Sequence, residues 1–369
     1  MNESRKMGRV LRALEHVVDD SLANGNSLAN GITTDRLNEE RRAFLRSSFL
    51  AAGAALASGS GLAQASVKRT PDGAADAKRA IPKRFTDPMQ NRTIETNGVK
   101  LYTETFGKPS DPVVLLIMGA TASAIWWPED FCRQLAARGR YVIRYDHRDT
   151  GRSTKNTPGQ INYSVEDLAD DAIGVLQAYG VGRAHLAGMS LGGFLSQMIA
   201  LKYPNRVSSL TLIASEPLAA GDPDIPAMDP KVLAHHMKSG ELDWSNRELV
   251  VEHVVEAWRL MAGTAHPFDK AAIRSLAAQD FDRTDNLLTS MNHALLAGGE
   301  QWFNRLSEVK VPALVVHGTE DPVLNYAHGV ALAKNLPDAT LLTLKGTGHE
   351  LHRDDWTTII DAVDRHTAI

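Results

Sequence analysis

Ser190 stands in Gly188-Met189-Ser190-Leu191-Gly192, where a short apolar run meets a helix-compatible segment. A strand ending near Ala187 and a helix opening at Leu191 leave the serine in a turn so tight that side chains at Gly188 and Gly192 would collide. Its backbone is forced into a strained conformation with the hydroxyl exposed. The free N–H groups at the helix start make an anion site beside it. A serine hydroxyl is a poor nucleophile at neutral pH, so chemistry here needs a base to take its proton and an acid to fix that base's tautomer.

Later parts of the chain offer both. Of the 13 histidines, His349 is the one in a Gly-rich turn, Gly346-Thr347-Gly348-His349-Glu350, just after an apolar run. His352, three residues on, suits a surface role better. Asp321, in the turn Glu320-Asp321-Pro322 after another apolar run, is the favoured acid. Glu320 beside it and Glu216, just past VSSLTLIAS, are the alternatives. The negative charge that develops on an attacked carbonyl needs donors. The backbone N–H groups of Leu191 and of Ala120, after VVLLIMG, are the expected pair, and Trp126 and Trp127 in the same loop are candidates to line an apolar or aromatic pocket.

These residues need a frame that collects them on one edge. The hairpin signal Asn97-Gly98 joins two alternating strands, and then strand-like and helix-like runs alternate. VVLLIMG, from Val113 to Gly119, has no polar residue before its glycine, as expected of a strand covered on both faces. Helices are expected from Trp127 to Arg138, from Ser164 to about Tyr179 (with Leu168, Ile173, Leu176 and Gln177 on the apolar side), and from Gly192 to Lys202. The pattern is an α/β fold with a mostly parallel central sheet flanked by helices, and its ligands should collect at the carboxyl ends of the strands. Between residues 217 and 307 it gives way to helical segments alone, expected at Pro230–Met237, Arg247–Ala262, Asp269–Ala278 and Asp285–Leu296. An insertion there is placed to cover Ser190 as a helical cap. The expected organisation is a leader and export signal over 1–65, a linker over 66–90, core over 91–216 and 308–369, and the cap between.

The segment from Glu40 to Ala65 differs from all of this. Arg41 and Arg42 precede Phe44 and Leu45, an uncharged Ala- and Gly-rich stretch follows, and Ala63-Gln64-Ala65 has the small-x-small form of a cleavage site. It resembles a twin-arginine export signal, with Arg46 where that pattern has lysine. The stretch is too poor in strongly apolar residues for a permanent span. A periplasmic or secreted bacterial protein, with no stable membrane span after cleavage and the twin-arginine machinery as a transient partner, is expected. The leader of about 40 residues before the arginines has no assigned role.

Other chemistries find less support. A net charge of −4 and the lack of a basic, aromatic-interleaved patch argue against nucleic acid. The lone Cys132 excludes an intramolecular disulfide and multi-cysteine metal sites, and reads as a buried apolar residue. No Gly-rich phosphate loop points to a nucleotide, so no cofactor is expected. Asp146, His147, Arg148 and Asp149 lack a second ligand group at a comparable strand end, which favours a structural role over a metal site. His235, His236, His253, His266 and His293 read as surface or packing groups, with His293 placed to face the pocket.

From about Asn91 onward the chain resembles the α/β-hydrolase superfamily: GMSLG as nucleophile elbow, IMGA as oxyanion loop, YDHRDTGRS, HGTEDPV as acid turn and GTGHE as histidine loop. LLIMGATASAIWWPEDF and VIRYDHRDTGRS are similar to polyketide methylesterases of the aclacinomycin methylesterase type, which take a methyl group from a carbomethoxy ester on an aromatic substrate. The resemblance implies a capped serine hydrolase of a small-molecule ester, with Ser190, Asp321 and His349 in the family's roles. Met118 stands where the family commonly has histidine, altering the pocket while keeping the backbone donor. Hydrolysis of C–C bonds in β-diketone-type substrates and cofactor-free perhydrolysis use the same groups, and a noncatalytic binding protein on this fold is the alternative of another class.

Overall fold

The computed structural model describes residues 89–368. The leader, the twin-arginine-type segment, its cleavage site and the linker up to residue 88 lie outside the described residues. Strands β1 (Gln90–Thr96) and β2 (Val99–Phe106) pair antiparallel. Asn97 and Gly98 between them take φ of 48° and 74°, the left-handed pair that a two-residue hairpin turn requires. Six further strands follow: β3 (Val113–Ile117), β4 (Tyr141–Tyr145), β5 (Ala184–Met189), β6 (Val207–Ile213), β7 (Ala313–Gly318) and β8 (Ala339–Leu344). They are parallel to one another, in a sheet of order β1-β2-β4-β3-β5-β6-β7-β8.

Helices α1 (Glu129–Ala136), α2 (Val165–Ala178) and α3 (Leu191–Lys202) belong to the first part of the sheet. Between β6 and β7 lie α4 (Pro230–Met237), α5 (Arg247–Met261), α6 (Lys270–Arg283) and a 3₁₀ stretch, Leu287–Leu295, with no strand. Then α7 (Tyr326–Asn335) follows β7, and α8 (Trp356–His366) closes the chain. Alternate residues of β3 serve opposite faces. Leu115 and Ile117 pack with Leu168 and Leu176 of α2 and Phe194 of α3, whereas Val114 and Leu116 pack with Phe131 of α1 and Ile359 of α8. That two-sided burial explains the unbroken apolar runs.

From β3 the chain moves outward to β4 and then returns across β3 to β5, so the carboxyl ends of β3 and β5 flank the reversal. In an open α/β sheet this crevice is where ligands settle. Two local expectations shift. The helix expected from Trp127 starts at Glu129, because Pro128 pushes the preceding residue out of the helical region, and Trp127 is extended (φ −86°, ψ 95°). Gln177 is exposed, the buried side of α2 running instead through Asp171, Ala172, Ile173, Val175 and Leu176.

Candidate active site

Ser190 joins β5 to α3 with φ 52° and ψ −120°. A Cβ on Gly188 would lie 2.1 Å from the Gly192 carbonyl oxygen, and one on Gly192 would lie 2.0 Å from that of Ile117. Neither position tolerates a side chain, so both glycines are steric requirements of the turn. The loop after β3 runs alongside: a Cβ on Gly119 would sit 3.8 Å from Ser190 Oγ. The Ser190 backbone is tied on both sides, its N–H donating to Ile213 O (2.9 Å) and its carbonyl accepting from Ser215 Oγ (2.9 Å). No acceptor is found among the described residues for the N–H of Leu191 or of Ala120.

The loop from Met118 to Ala124 is fixed by three side chains. His147 Nε2 donates to Met118 O (3.0 Å), the Thr121 N–H donates to His293 Nδ1 (3.0 Å), and Asp146 Oδ1 accepts from the Ala124 N–H (2.8 Å). Burial pushes the His147 imidazole down to about 3, keeping it neutral. His293 does not face the cavity: its Nε2 donates to Arg148 O at 2.8 Å and its ring is fully buried behind the loop. Asp146 also accepts both arms of the Arg283 guanidinium (2.9 Å each), and Arg148 pairs with buried Asp171 (2.6 and 2.8 Å). Asp146, His147 Nε2 and Arg148 are thus engaged in holding neighbouring elements.

Across the crevice, His349 Nδ1 donates to Asp321 Oδ2 at 2.8 Å. Asp321 Oδ1 accepts from the N–H groups of Val323 (2.9 Å) and Leu324 (2.8 Å), and His317 Nε2 lies 3.4 Å from Oδ2. Burial opposes the charge, but the facing His349 and His317 rings prevail and hold the Asp321 carboxyl well below the usual carboxylate range. His317 at the end of β7 escaped notice in the sequence because it reads as one more residue of a buried strand. With Nδ1 committed, Nε2 is the nitrogen left to His349 on the cavity that Ser190 also lines.

The rival acids have other surroundings. Glu320 accepts from the N–H and hydroxyl of Thr264 (2.9 Å each), pinning the loop after α5. Glu216 is buried, which pushes its carboxyl up to about 7 against the opposing pull of His349. The His349 N–H donates to Met261 O (2.8 Å), and a Cβ on Gly348 would lie 2.1 Å from that same oxygen.

Ser190 and His349 line a cavity of about 200 Å³. Its walls carry Met118, Met189, Met228, Met261 and Met291, with Trp126 stacked on Trp258 (centroids 4.4 Å, planes 12° apart). Buried Asp280 orients that stack by accepting from Trp126 Nε1 (2.8 Å) and Ser123 Oγ (2.5 Å). Trp127 does not line the cavity; the extended turn before Pro128 sends it into the core against Phe131. Polar groups enter from the segment between β6 and β7: His236, and His253 with Ser239 Oγ at 3.0 Å from its Nε2. Burial, with His235 and His349 nearby, pushes the His236 ring down to about 4, and no hydrogen-bond partner for it is found among the described residues. His236 and His253, expected as surface or packing groups, thus stand on the cavity wall; a histidine on a helix outside the sheet carries no sequence signal that separates a packing ring from a cavity-facing one.

The Hydrolase_4 family model, described as serine aminopeptidase, S33, matches residues 108–355. The chain is 33% identical over 296 residues to rhodomycin D methylesterase DauP of Streptomyces sp. (strain C5), covering 76% of this chain and 98% of that protein. It is 34% identical over 295 residues to rhodomycin D methylesterase DnrP of Streptomyces peucetius, again covering 76% and 98%. A solved structure described as Est816, an N-acyl homoserine lactone degrading enzyme, aligns with a TM-score of 0.58 at 26% identity, over 74% of this chain and 98% of that one. The chain belongs to this family of α/β-hydrolase-fold enzymes, and it is a serine hydrolase of carboxylic esters.

Proposed function

We propose that Ser190, His349 and Asp321 carry out two-step acyl transfer on the methyl ester of an aromatic or broadly apolar acid. Ser190 Oγ attacks the ester carbonyl as its proton passes to His349 Nε2, and Asp321 holds the ring in the required tautomer and faces the resulting imidazolium. The oxyanion meets the N–H groups of Leu191 and Ala120. Collapse breaks the ester C–O bond, and His349 returns the proton to the departing alcohol. A water then loses a proton to His349, attacks the acyl-enzyme carbonyl, and frees the acid and Ser190.

The observation that carries this reading is the pairing of His349 with buried Asp321 on the same cavity as the strained Ser190 elbow. Residues 217–307 act as the cap, supplying His236, Trp258 and Met261 to the cavity wall. The methionines and the Trp126–Trp258 stack favour a flat apolar acyl group, and the two rhodomycin D methylesterases support a methyl leaving group. His236, neutral and unpaired, is placed to hydrogen-bond a polar substituent of that group. S190A should abolish hydrolysis of short p-nitrophenyl and aromatic methyl esters; equal rates in wild type and S190A would refute the mechanism.

The pair Arg41-Arg42 and the Ala63-Gln64-Ala65 site support export by the twin-arginine route to the periplasm or beyond. Among the described residues no helix is long and apolar enough to cross a membrane. Replacing both arginines by lysine should hold the full-length precursor inside the cell; undiminished export of that variant would rule the route out.

A further inference from the structure

We propose that His266, His352 and Asp354 form a binding site for a transition-metal dication of the zinc type, outside the catalytic cavity. His266 lies in the loop between α5 and α6, and His352 lies three residues beyond His349. Their rings stack with centroids 4.4 Å apart and planes 11° apart. His266 Nδ1 is 3.7 Å and His352 Nδ1 is 3.9 Å from the same atom, Asp354 Oδ2. Three ligand atoms of the types that zinc takes therefore converge, all within 4.8 Å of one another.

The outer nitrogens supply a separate observation. His266 Nε2 is 3.0 Å from Asp355 Oδ1, whose partner oxygen accepts from Thr347 Oγ1 (2.8 Å), and His352 Nε2 is 3.4 Å from Pro267 O. A carboxylate and a carbonyl can only accept, so in a singly protonated ring at either position Nε2 carries the proton, which leaves the Nδ1 atoms as acceptors 3.7 and 3.9 Å from Asp354 Oδ2. A carboxylate or carbonyl on the far nitrogen is the usual support of a metal-bound histidine. The one donor within the cluster, the Asp354 N–H, reaches His352 Nδ1 at a long 3.2 Å. A cation would replace that weak bond and neutralise three facing acceptors.

Bonds of 2.0–2.2 Å in a tetrahedron set ligand atoms about 3.3 Å apart. Asp354 is the most exposed of the three, at 64%, so its side chain is free to close the few tenths of an ångström by which its own two contacts exceed that spacing; a tilt of the stacked rings would turn both Nδ1 lone pairs onto the ion, and the open side leaves room for a water as fourth ligand. Two imidazoles and one carboxylate select zinc and its late-transition-metal neighbours over magnesium or calcium. Bound there, the ion would clasp the loop after α5 to the segment that follows His349.

The test uses untagged, chelator-stripped mature enzyme titrated with ZnCl₂. Wild type should bind one equivalent that the H266A/H352A double variant loses, with D354A at least tenfold weaker. At a hundredfold excess over Kd, zinc should raise wild-type Tm by about 5–10 °C. D354A alters an exposed side chain, so it keeps the test valid if the double variant fails to fold. No stoichiometric binding in wild type, or equal affinity in D354A and wild type, would overturn the proposal, whatever becomes of the esterase assignment.

Discussion

Asn substitution of Asp321 separates its proposed orienting role from the fold. The Oδ1 position, which accepts from the Val323 and Leu324 N–H groups, is filled by the amide oxygen, so the acid turn keeps its backbone bonds. The amide nitrogen then faces His349 Nδ1 across 2.8 Å, where the carboxylate oxygen stood. Two donors cannot share that contact, so the ring must turn its lone pair to Nδ1 and carry its proton on Nε2, the nitrogen needed to accept from Ser190. The base is thus lost without being removed. D321N should lower kcat by about 10³–10⁴-fold with KM little changed, equivalent to roughly 4–5.5 kcal/mol of transition-state stabilisation. Steady-state hydrolysis of p-nitrophenyl acetate, with circular dichroism as a check on folding, measures it. A D321N enzyme within tenfold of wild type would refute the argument and move the orienting role to Glu216.

Two further outcomes are expected. Glu216 titrates near 7 in the folded protein, above an unfolded glutamate at about 4.3, so its linked stability is complete below about pH 4.3 and is lost as pH rises through 7. Thermal melts should therefore find E216Q more stable than wild type at pH 8 and equal to it near pH 4; a wild-type advantage at pH 8 would contradict the burial argument. Replacing His236 by phenylalanine should raise KM about two- to tenfold for an aromatic methyl ester bearing a hydroxyl or carbonyl substituent, the worth of one hydrogen bond, with kcat held. Glutamine at the same position should recover part of the loss, and an unchanged KM in H236F would remove His236 from substrate recognition.

The parallel sheet was legible because strands covered on both faces must be apolar throughout, as in Val113–Ile117 and Ala313–Gly318. The Ser190 turn was legible because only glycine fits at 188 and 192. Helices α4 and α5 could be read to within a residue, whereas the stretch after α6 winds as 3₁₀ around buried Asn292 and His293, whose partners lie in the loops near Asp149 and Arg148. What the sequence hid were meetings between distant segments: Arg148 with Asp171, His317 with Asp321, Asp280 beneath Trp126 and His266 against His352. Each member alone resembles an ordinary surface or core residue. Their significance comes from which loops the strand order brings side by side.

The hydrogen bond from the His349 N–H to Met261 O, with Gly348 pressed on the same carbonyl, makes the last turn of α5 the seat of the imidazole proposed as the base. Met261 and Trp258 on that helix also touch the cavity. A guest that pushes this wall outward strains the perch of the imidazole, and one that fits leaves it undisturbed. On the proposed roles, shape discrimination and proton transfer share a single mechanical joint, and engineering a roomier chamber through α5 would sacrifice turnover before it broadened scope.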